Sequence, residues 1–404
     1  MKILVVSEVF YPENFLINDL VKEWKKQGWV VDIISQYPSY PESYVYPGYT
    51  NKNYRIEDWE GSKIFRFPFI EGYKTSVYKK IRNYFLYIKG ATRIGKNIAG
   101  DYDLIFVSQT GPLTVALPAI RMAKKFNKPL AIWTFDIWPD VVYMYGVPRN
   151  IFTKFFFEHF VSYVYKRFDH IIVSSSGFIS SIQKYVPNKT IHYAPNWLQP
   201  VDFAISELKL DPTKFNFTFA GNISLYQNIL NTVKGFQKAN LQNCVLNIIG
   251  NGSMYEIVQK YIEKNKLQNV FLHRRIAYNQ VDDLLHHSDV FVLPLLDNKE
   301  IEKTEPLKLQ SYLSVGKPIF GILNGACKKI IEENNIGLCA KPSDLNDIAR
   351  GFEQMLTFTK NNKEQVAINA LKLKQTRFNK EKIVEKINKV IQTNKDNEYK
   401  ENKY

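Results

Sequence analysis

The feature that most limits the fold is an alternation of short apolar runs with stretches of helical periodicity, repeated along most of the chain. Residues 3–7 (ILVVS) carry no charge, as in a parallel strand covered on both faces. Residues 18–26 follow as a helix stopped at Gly28, and residues 29–35 resume as a strand. After a turn at Gly61, residues 62–67 alternate apolar and polar. Residues 103–107 and 129–134 read as strands, with a helix at 114–126 between them. Residues 151–168 form a long aromatic helix before a strand at 170–174. A second series starts at Phe215, with strands expected at 215–220, 245–250, 270–273, 290–295, 318–322 and 337–340. Helices are expected between them at 229–238, 254–264, 281–288, 307–315 and 326–333. This pattern predicts an α/β chain of two Rossmann-like, doubly wound domains facing an interdomain cleft. The expected domains are 1–200 and 201–375, joined near 194–211. Residues 376–404 are expected as a C-terminal helix crossing back to the first domain, then a polar tail that frays from 393.

Composition narrows the class. With 404 residues, 45% hydrophobic and 23% charged, the chain is too long for one ordinary core and too apolar to be disordered. Three distant cysteines (Cys244, Cys327, Cys339) form no CxxC pair, which excludes a disulfide scaffold and a zinc ribbon and fits a reducing compartment. The first residues read as a buried strand rather than a leader. No run of apolar residues is long enough for a membrane-spanning helix, so the expected location is cytoplasmic.

The net charge of +15 is unevenly spread. Residues 72–100 contain no acidic residue but hold Lys74, Lys79, Lys80, Arg82, Lys89, Arg93 and Lys96. Ile81, Tyr84, Phe85 and Ile88 share one helical face there. A basic helix with an aromatic face suits an anionic membrane surface, and Lys79, Lys80, Arg82, Tyr84 and Phe85 are the expected contacts. The plainer reading is a helix that packs those aromatics into its own domain. Nucleic acid is not an expected partner, because no nucleic-acid module surrounds the patch.

Several chemistries are excluded by missing motifs. The turn after the first strand reads SEVFYP rather than GxGxxG, so a nicotinamide or flavin is not expected there. The chain contains no GxxxxGK[ST], GxSxG or HExxH, and His286 and His287 point about 100° apart on a helix. In open α/β sheets ligands bind beyond the carboxyl ends of the strands. The loops at those positions include residues 11–19, 37–41, 136–140, 221–227, 250–252 and 305–312. They are rich in aromatics and amides with few charges, which suits a sugar nucleotide.

These residues carry a family resemblance. YPENFLINDL, KKQGWVVDIISQYPSYP, FDIWPD, FAGNISLYQ and TEPLKLQSYLSVGKPI, in that order, resemble a family 4 retaining glycosyltransferase of the GT-B fold. The likeness is closest to the bacterial capsule, O-antigen and exopolysaccharide branch, including fucosamine-type transferases. It covers about residues 1–392. It implies transfer of a sugar, with an N-acetylated deoxyhexose as one candidate, from a UDP-sugar to a polyprenyl-diphosphate-linked saccharide. It implies retention of configuration, no metal and no cofactor besides the donor. A transferase of that kind works at the inner leaflet, peripherally bound. Asn222 and Gln227 stand where the broader family carries Arg and Lys, and Lys303 and Ser311 where it carries a pair of Glu.

The expected donor contacts are Gly221, Asn222, Gln227, Gly250, Asn251, Arg275, Pro306, Leu307 and Ser311. Lys308 is the candidate to neutralise the leaving diphosphate. Asp136 and Asp140 flank Trp138-Pro139, where a carboxylate could take the acceptor hydroxyl proton or hold a sugar hydroxyl. Glu13, Asn14, Asn18 and Tyr37 are the expected acceptor contacts. A Glu in a first helical turn is also favoured by the helix dipole alone. A nucleotide-sugar 2-epimerase and a non-catalytic sugar-binding scaffold remain the alternative readings.

Overall fold

The computed structural model describes residues 1–144, 146–199 and 202–393. The chain divides into two units, Pro195–Lys382 and the remainder, with the segment from Ile383 belonging to the first unit. The expected boundary at 200 falls on residues outside the description, and so does all but the first residue of the expected polar tail.

The first unit runs β1 (Lys2–Ser7), α1 (Leu16–Lys26), β2 (Val30–Gln36), β3 (Arg55–Trp59), β4 (Ser62–Phe67), α2 (Val77–Asn97), β5 (Leu104–Gln109) and α3 (Ala116–Phe126). It continues with β6 (Leu130–Thr134), α4 (Asp140–Met144), α5 (Ile151–Tyr165), β7 (His170–Val173), α6 (Phe178–Gln183) and β8 (Ile191–Tyr193). Its eight strands lie in the order β3-β4-β2-β1-β5-β6-β7-β8. All neighbours pair parallel except β3 with β4, a hairpin closed at Glu60-Gly61. The edge hairpin escapes the sequence pattern because RIEDW alternates charges on a half-exposed strand. In β5 every residue is buried, as a central parallel strand under helices on both faces requires.

The second unit runs β9 (Phe215–Asn222), α7 (Ile229–Ala239), β10 (Cys244–Asn251), α8 (Tyr255–Lys264), β11 (Val270–His273), α9 (Val281–His286) and β12 (Val290–Pro294). It continues with α10 (Leu307–Val315), β13 (Ile319–Ile322), α11 (Gly325–Glu333), β14 (Gly337–Ala340) and α12 (Leu345–Thr376). Its sheet is parallel throughout, in the order β11-β10-β9-β12-β13-β14. The order turns at β9, the point where ligands gather in such sheets. Phe352 of α12 packs on Phe217, Phe236 and Phe320, which fixes that helix to the sheet.

The last helix, α13 (Lys380–Gln392), packs on the first unit from Ile383 onward. Asn388 is the anchor. Its Oδ1 accepts from Trp24 Nε1 at 2.7 Å and its Nδ2 donates to Gln27 Oε1 at 2.9 Å.

Candidate active site

In the second unit the floor is made by the ends of β9 and β10, which run in register with Gly221 opposite Gly250 and Asn222 opposite Asn251. Glycine is required at both positions. A Cβ on Gly250 would lie 1.8 Å from the Gly221 carbonyl oxygen, and one on Gly221 would lie 2.1 Å from Lys308 Cε. The close approach leaves space only for backbone, and Lys308 fills what remains. Lys308 is the second residue of α10, which starts after Pro306 in extended conformation. Its ammonium donates to Gln227 Oε1 and lies 4.6 Å from the centroid of the Phe219 ring. Burial pulls its pKa down to about 7. Gly221, Gln227 and Lys308 therefore lie together. An ammonium held by an amide and a ring face, beside a helix start, is suited to an anion.

Other donor candidates are distributed differently. Asn222 is exposed at the β9 end. Asn251 accepts from Gly252 N at 3.0 Å and from Arg274 Nη1 at 3.5 Å. Arg274, whose guanidinium lies 3.9 Å from the Tyr255 ring centroid, thus reaches the strand end, whereas exposed Arg275 makes no such contact. Ser311 lines a cavity of about 260 Å³ with Tyr278, Asp282, His286 and Ser314. Leu307 and Pro306 are half-buried at the start of α10. Glu305, just before them, is turned inward and pairs with Arg377 at 3.1 Å.

In the first unit the carboxyl ends of β1, β5 and β6 gather Glu8, Gln109 and Asp136. Glu8 is the residue that sequence reading misses. Its oxygen Oε2 would lie 2.9 Å from a Cβ on Gly111, so the loop after β5 closes directly over it. Burial, with Glu13 and Asp136 adding repulsion, pushes its pKa up to about 7 against the pull of Lys74 and Lys80. Asp136 is likewise pushed up to about 7 by burial, with Lys80 opposing. Both residues are enclosed by protein yet keep some accessible surface, as groups on the floor of a depression do. Gln109 Nε2 holds the Asp136 loop by donating to its carbonyl at 3.2 Å, while Gln109 Oε1 is buried with no partner.

Three expected acceptor contacts serve the framework instead. Glu13 is buried, and its Oε1 accepts from the backbone N–H groups of Ser39 and Tyr40, both at 2.6 Å, tying the first loop to the one after β2. Asn18 donates to the Glu13 carbonyl at 2.6 Å. Tyr37 faces inward, packed with Phe69 and Tyr73, and its hydroxyl donates to the Asn53 carbonyl at 2.9 Å. Only Asn14 of that group is exposed. Asp140 is buried at the start of α4.

The basic segment is also redistributed. The inner face of α2 is Asn83, Tyr87, Gly90, Ala91, Ile94 and Gly95, so the aromatic face read from spacing is not its core face. Lys79, Arg82 and Phe85 are exposed, Tyr84 is half-buried, and half-buried Lys80 acts on Glu8 and Asp136. Among the described residues no helix is long and apolar enough to cross a membrane. None of those residues form a group of three or more His, Cys, Asp or Glu side chains that could hold a metal ion.

Two sheets of this topology, with ligand-competent glycine turns at the strand ends, define a GT-B protein. The Glycosyltransferase Family 4 profile matches residues 15–200 and the Glycosyl transferases group 1 profile matches residues 201–373. The chain therefore carries a glycosyltransferase family 4 domain followed by a glycosyl transferases group 1 domain. It is 22% identical to the probable glycosyltransferase WbjE of Pseudomonas aeruginosa over 265 residues, 62% of this chain and 66% of that protein. It is 21% identical to the putative colanic acid biosynthesis glycosyl transferase WcaI of Escherichia coli K12 over 206 residues, 47% of this chain and 50% of that one. The matched regions thus span about half to two thirds of those relatives' lengths. Among solved structures, Anabaena Alr3699/HepE in complex with UDP superposes with a TM-score of 0.65 at 12% identity, covering 97% of this chain and 99% of that one.

Proposed function

We propose that the protein is a retaining glycosyltransferase that moves a sugar from a UDP-sugar to a polyprenyl-diphosphate-linked saccharide in bacterial surface polysaccharide synthesis. The second unit holds the donor and the first the acceptor. The observation that carries the reading is Lys308, a half-buried lysine whose ammonium is held by Gln227 and the Phe219 ring at the glycine-lined ends of β9 and β10. A diphosphate there meets a partly desolvated cation, which offsets charge as the bond to the sugar breaks. UDP is favoured as the carrier because the HepE structure holds UDP on the same fold. The similarity to WcaI, a putative colanic acid biosynthesis glycosyl transferase, supports a polysaccharide product. An N-acetylated deoxyhexose is the sugar favoured by the resemblance to fucosamine-type transferases, and no metal is needed where Lys308 supplies the charge.

On the acceptor side, Glu8 and Asp136 are the carboxyls placed to hold acceptor hydroxyls. Burial pushes the pKa of each up to about 7, so near neutral pH each can donate or accept a hydrogen bond. Lys308→Ala is expected to lower turnover by on the order of 10²-fold, the size of losing one transition-state donor. Steady-state transfer from UDP-sugar checks this, and unchanged turnover in a folded Lys308→Ala protein removes the assignment.

A further inference from the structure

Glu305 stands just before the helix that carries Lys308, and its side chain is only 1% exposed. It is held from the far end of the 32-residue helix α12. α12 runs antiparallel to α10. A Cβ on Gly316, which ends α10, would lie 3.5 Å from Ala367 Cα, and at the other end of α10 Arg377 Nη2 donates to Glu305 Oε1 at 3.1 Å. Arg377 closes α12, with its N–H bonded to the Leu373 carbonyl at 2.9 Å, and the neighbouring Phe378 is buried. The guanidinium therefore projects from a fixed base.

The rest of the loop between β12 and α10 is fastened locally. Leu296 N donates to the Tyr226 carbonyl at 2.9 Å, beside the Gln227 that holds Lys308. The Glu302 carbonyl lies against the start of α11, where a Cβ on Gly325 would come within 2.0 Å of it. Cys327 Sγ donates to the Thr304 carbonyl at 3.4 Å. These contacts fix the loop as far as Thr304. The last step into the helix is taken by Glu305 and Pro306.

Pro306 turns the Glu305 anchor into a lever. Its ring fixes φ, here −68°, and restricts the residue before it, so little torsional slack separates Glu305 from the first turn of α10. The niche of Lys308 has narrow tolerance, since even a Cβ on Gly221 would lie 2.1 Å from Lys308 Cε. A displacement of about 1 Å at the start of α10 carries the ammonium off Gln227 and the Phe219 ring. Without its cation, a carboxylate as buried as Glu305 either takes up a proton or turns out to water, and both outcomes release the lever.

We propose that Arg377 is a positioning residue for the donor site: through Glu305 it sets the start of α10, and with it the place of the Lys308 ammonium. The inference rests on the reading of Lys308 as the diphosphate-binding cation. Arg377 precedes Ile383, where the chain enters the first unit, by six residues. The segment that leaves the second unit thus carries the residue on which the geometry of its donor site depends.

The test uses the whole protein and the variants Arg377→Met and Arg377→Lys, in two measurements. The first needs no nucleotide: amine labelling of Lys308 across pH, read by peptide mass spectrometry. Wild-type Lys308 should show a midpoint of about 7, because burial holds it there. Arg377→Met should raise that midpoint by more than about one pH unit as the ammonium meets water. Arg377→Lys, which keeps the charge and loses the planar fork, should raise it by less. Lys317, beyond the other end of α10 and also lowered by burial, is the internal reference and should not move. The second measurement is transfer from UDP-sugar. Arg377→Met should lower turnover by up to about 10²-fold, the ceiling set by losing Lys308 itself, and should add nothing in a Lys308→Ala background.

An unmoved Lys308 midpoint in folded Arg377→Met would overturn the proposal. So would a shift shared equally by Lys317, or a further loss of turnover on top of Lys308→Ala, since the pair would then serve the fold at large. Where Arg377→Met does not fold, Arg377→Lys carries the same comparisons. A midpoint that moves in a protein showing no transfer from any sugar nucleotide would sink the donor reading and leave the positioning role standing. Transfer that depends on Lys308 but not on Arg377 would do the reverse.

Discussion

Glu8 and Lys308 meet the same physical difficulty with opposite charge. Each is enclosed by protein and each is pulled toward its neutral form, Glu8 in spite of the opposing pull of Lys74 and Lys80. Such groups cost stability and are kept where a ligand completes them. For Glu8 the pH dependence follows from its proton. The folded protein holds it up to about 7, whereas a glutamate free in water loses it at 4.5. The folded state therefore binds more protons between those values, and stability falls as pH rises through that window, then levels off. Glu8→Gln removes the charge and keeps the shape. It should leave the melting temperature unchanged near pH 4 and raise it near pH 8, by up to about 3 kcal/mol of stability. Melting curves at the two pH values check this, and an equal shift at both would mean that the carboxyl is not strained. The two residues differed in how readable they were. Lys308 stood out as the one cation in a loop that otherwise lacked them. Glu8 looked like an ordinary strand end, because Gly111, Asp136 and Lys80 are brought to it only by the sheet.

At the scale of elements, what the sequence pattern conveys is burial on both faces. β1, β5, β6 and β9 read directly because parallel strands under two helical layers need continuous apolar runs. The start of α10 read equally well, since Pro306 permits entry to a helix and Gly316, in left-handed conformation, ends it. α2 was legible as a helix but not in its orientation. Glycines 90 and 95 decide that, by letting the helix lie against Phe67 and Met122, where a Cβ would come within 2.3–2.5 Å of their side chains. Of the two readings of the face with Ile81, Tyr84, Phe85 and Ile88, the one that packs it into its own domain is therefore not the one the glycines select. The anchoring of α13 through Asn388 was likewise invisible, because its partners lie more than 360 residues away. Asn388→Ala removes an acceptor from a buried indole N–H and a donor from Gln27. It should destabilise the protein by about 1–3 kcal/mol, seen as a lower urea midpoint, whereas Lys389→Ala on the exposed side of the same helix should change little. A null result at Asn388 would mean that α13 is held by its apolar face alone.

For the molecule as a whole, two parallel sheets, each with its functional groups at the carboxyl edge, were predictable from the βα rhythm and the rule for open sheets. The proposed division of labour rests on chemistry: an ammonium among glycines in one unit suits a diphosphate, and two carboxyls with raised pKa in the other suit sugar hydroxyls. The individual contacts were less legible. Glu13, Asn18 and Tyr37 have the right residue types for acceptor binding, yet backbone groups in the adjoining loops claim their polar atoms first. Loop-to-loop closure of this kind cannot be read before the strand order is known.

The central claim is that a nucleoside diphosphate seats on Lys308. A thermal-shift panel of UDP, GDP and ADP and their sugar conjugates, run on the wild-type protein and on Lys308→Met, tests it most directly. UDP and UDP-sugars should raise the melting temperature of the wild-type protein, adding about 2.7 kcal/mol at 100 times the dissociation constant. The shift should be greatly reduced in Lys308→Met. A panel in which no diphosphate moves the wild-type protein, or in which UDP shifts both proteins equally, would contradict the claim.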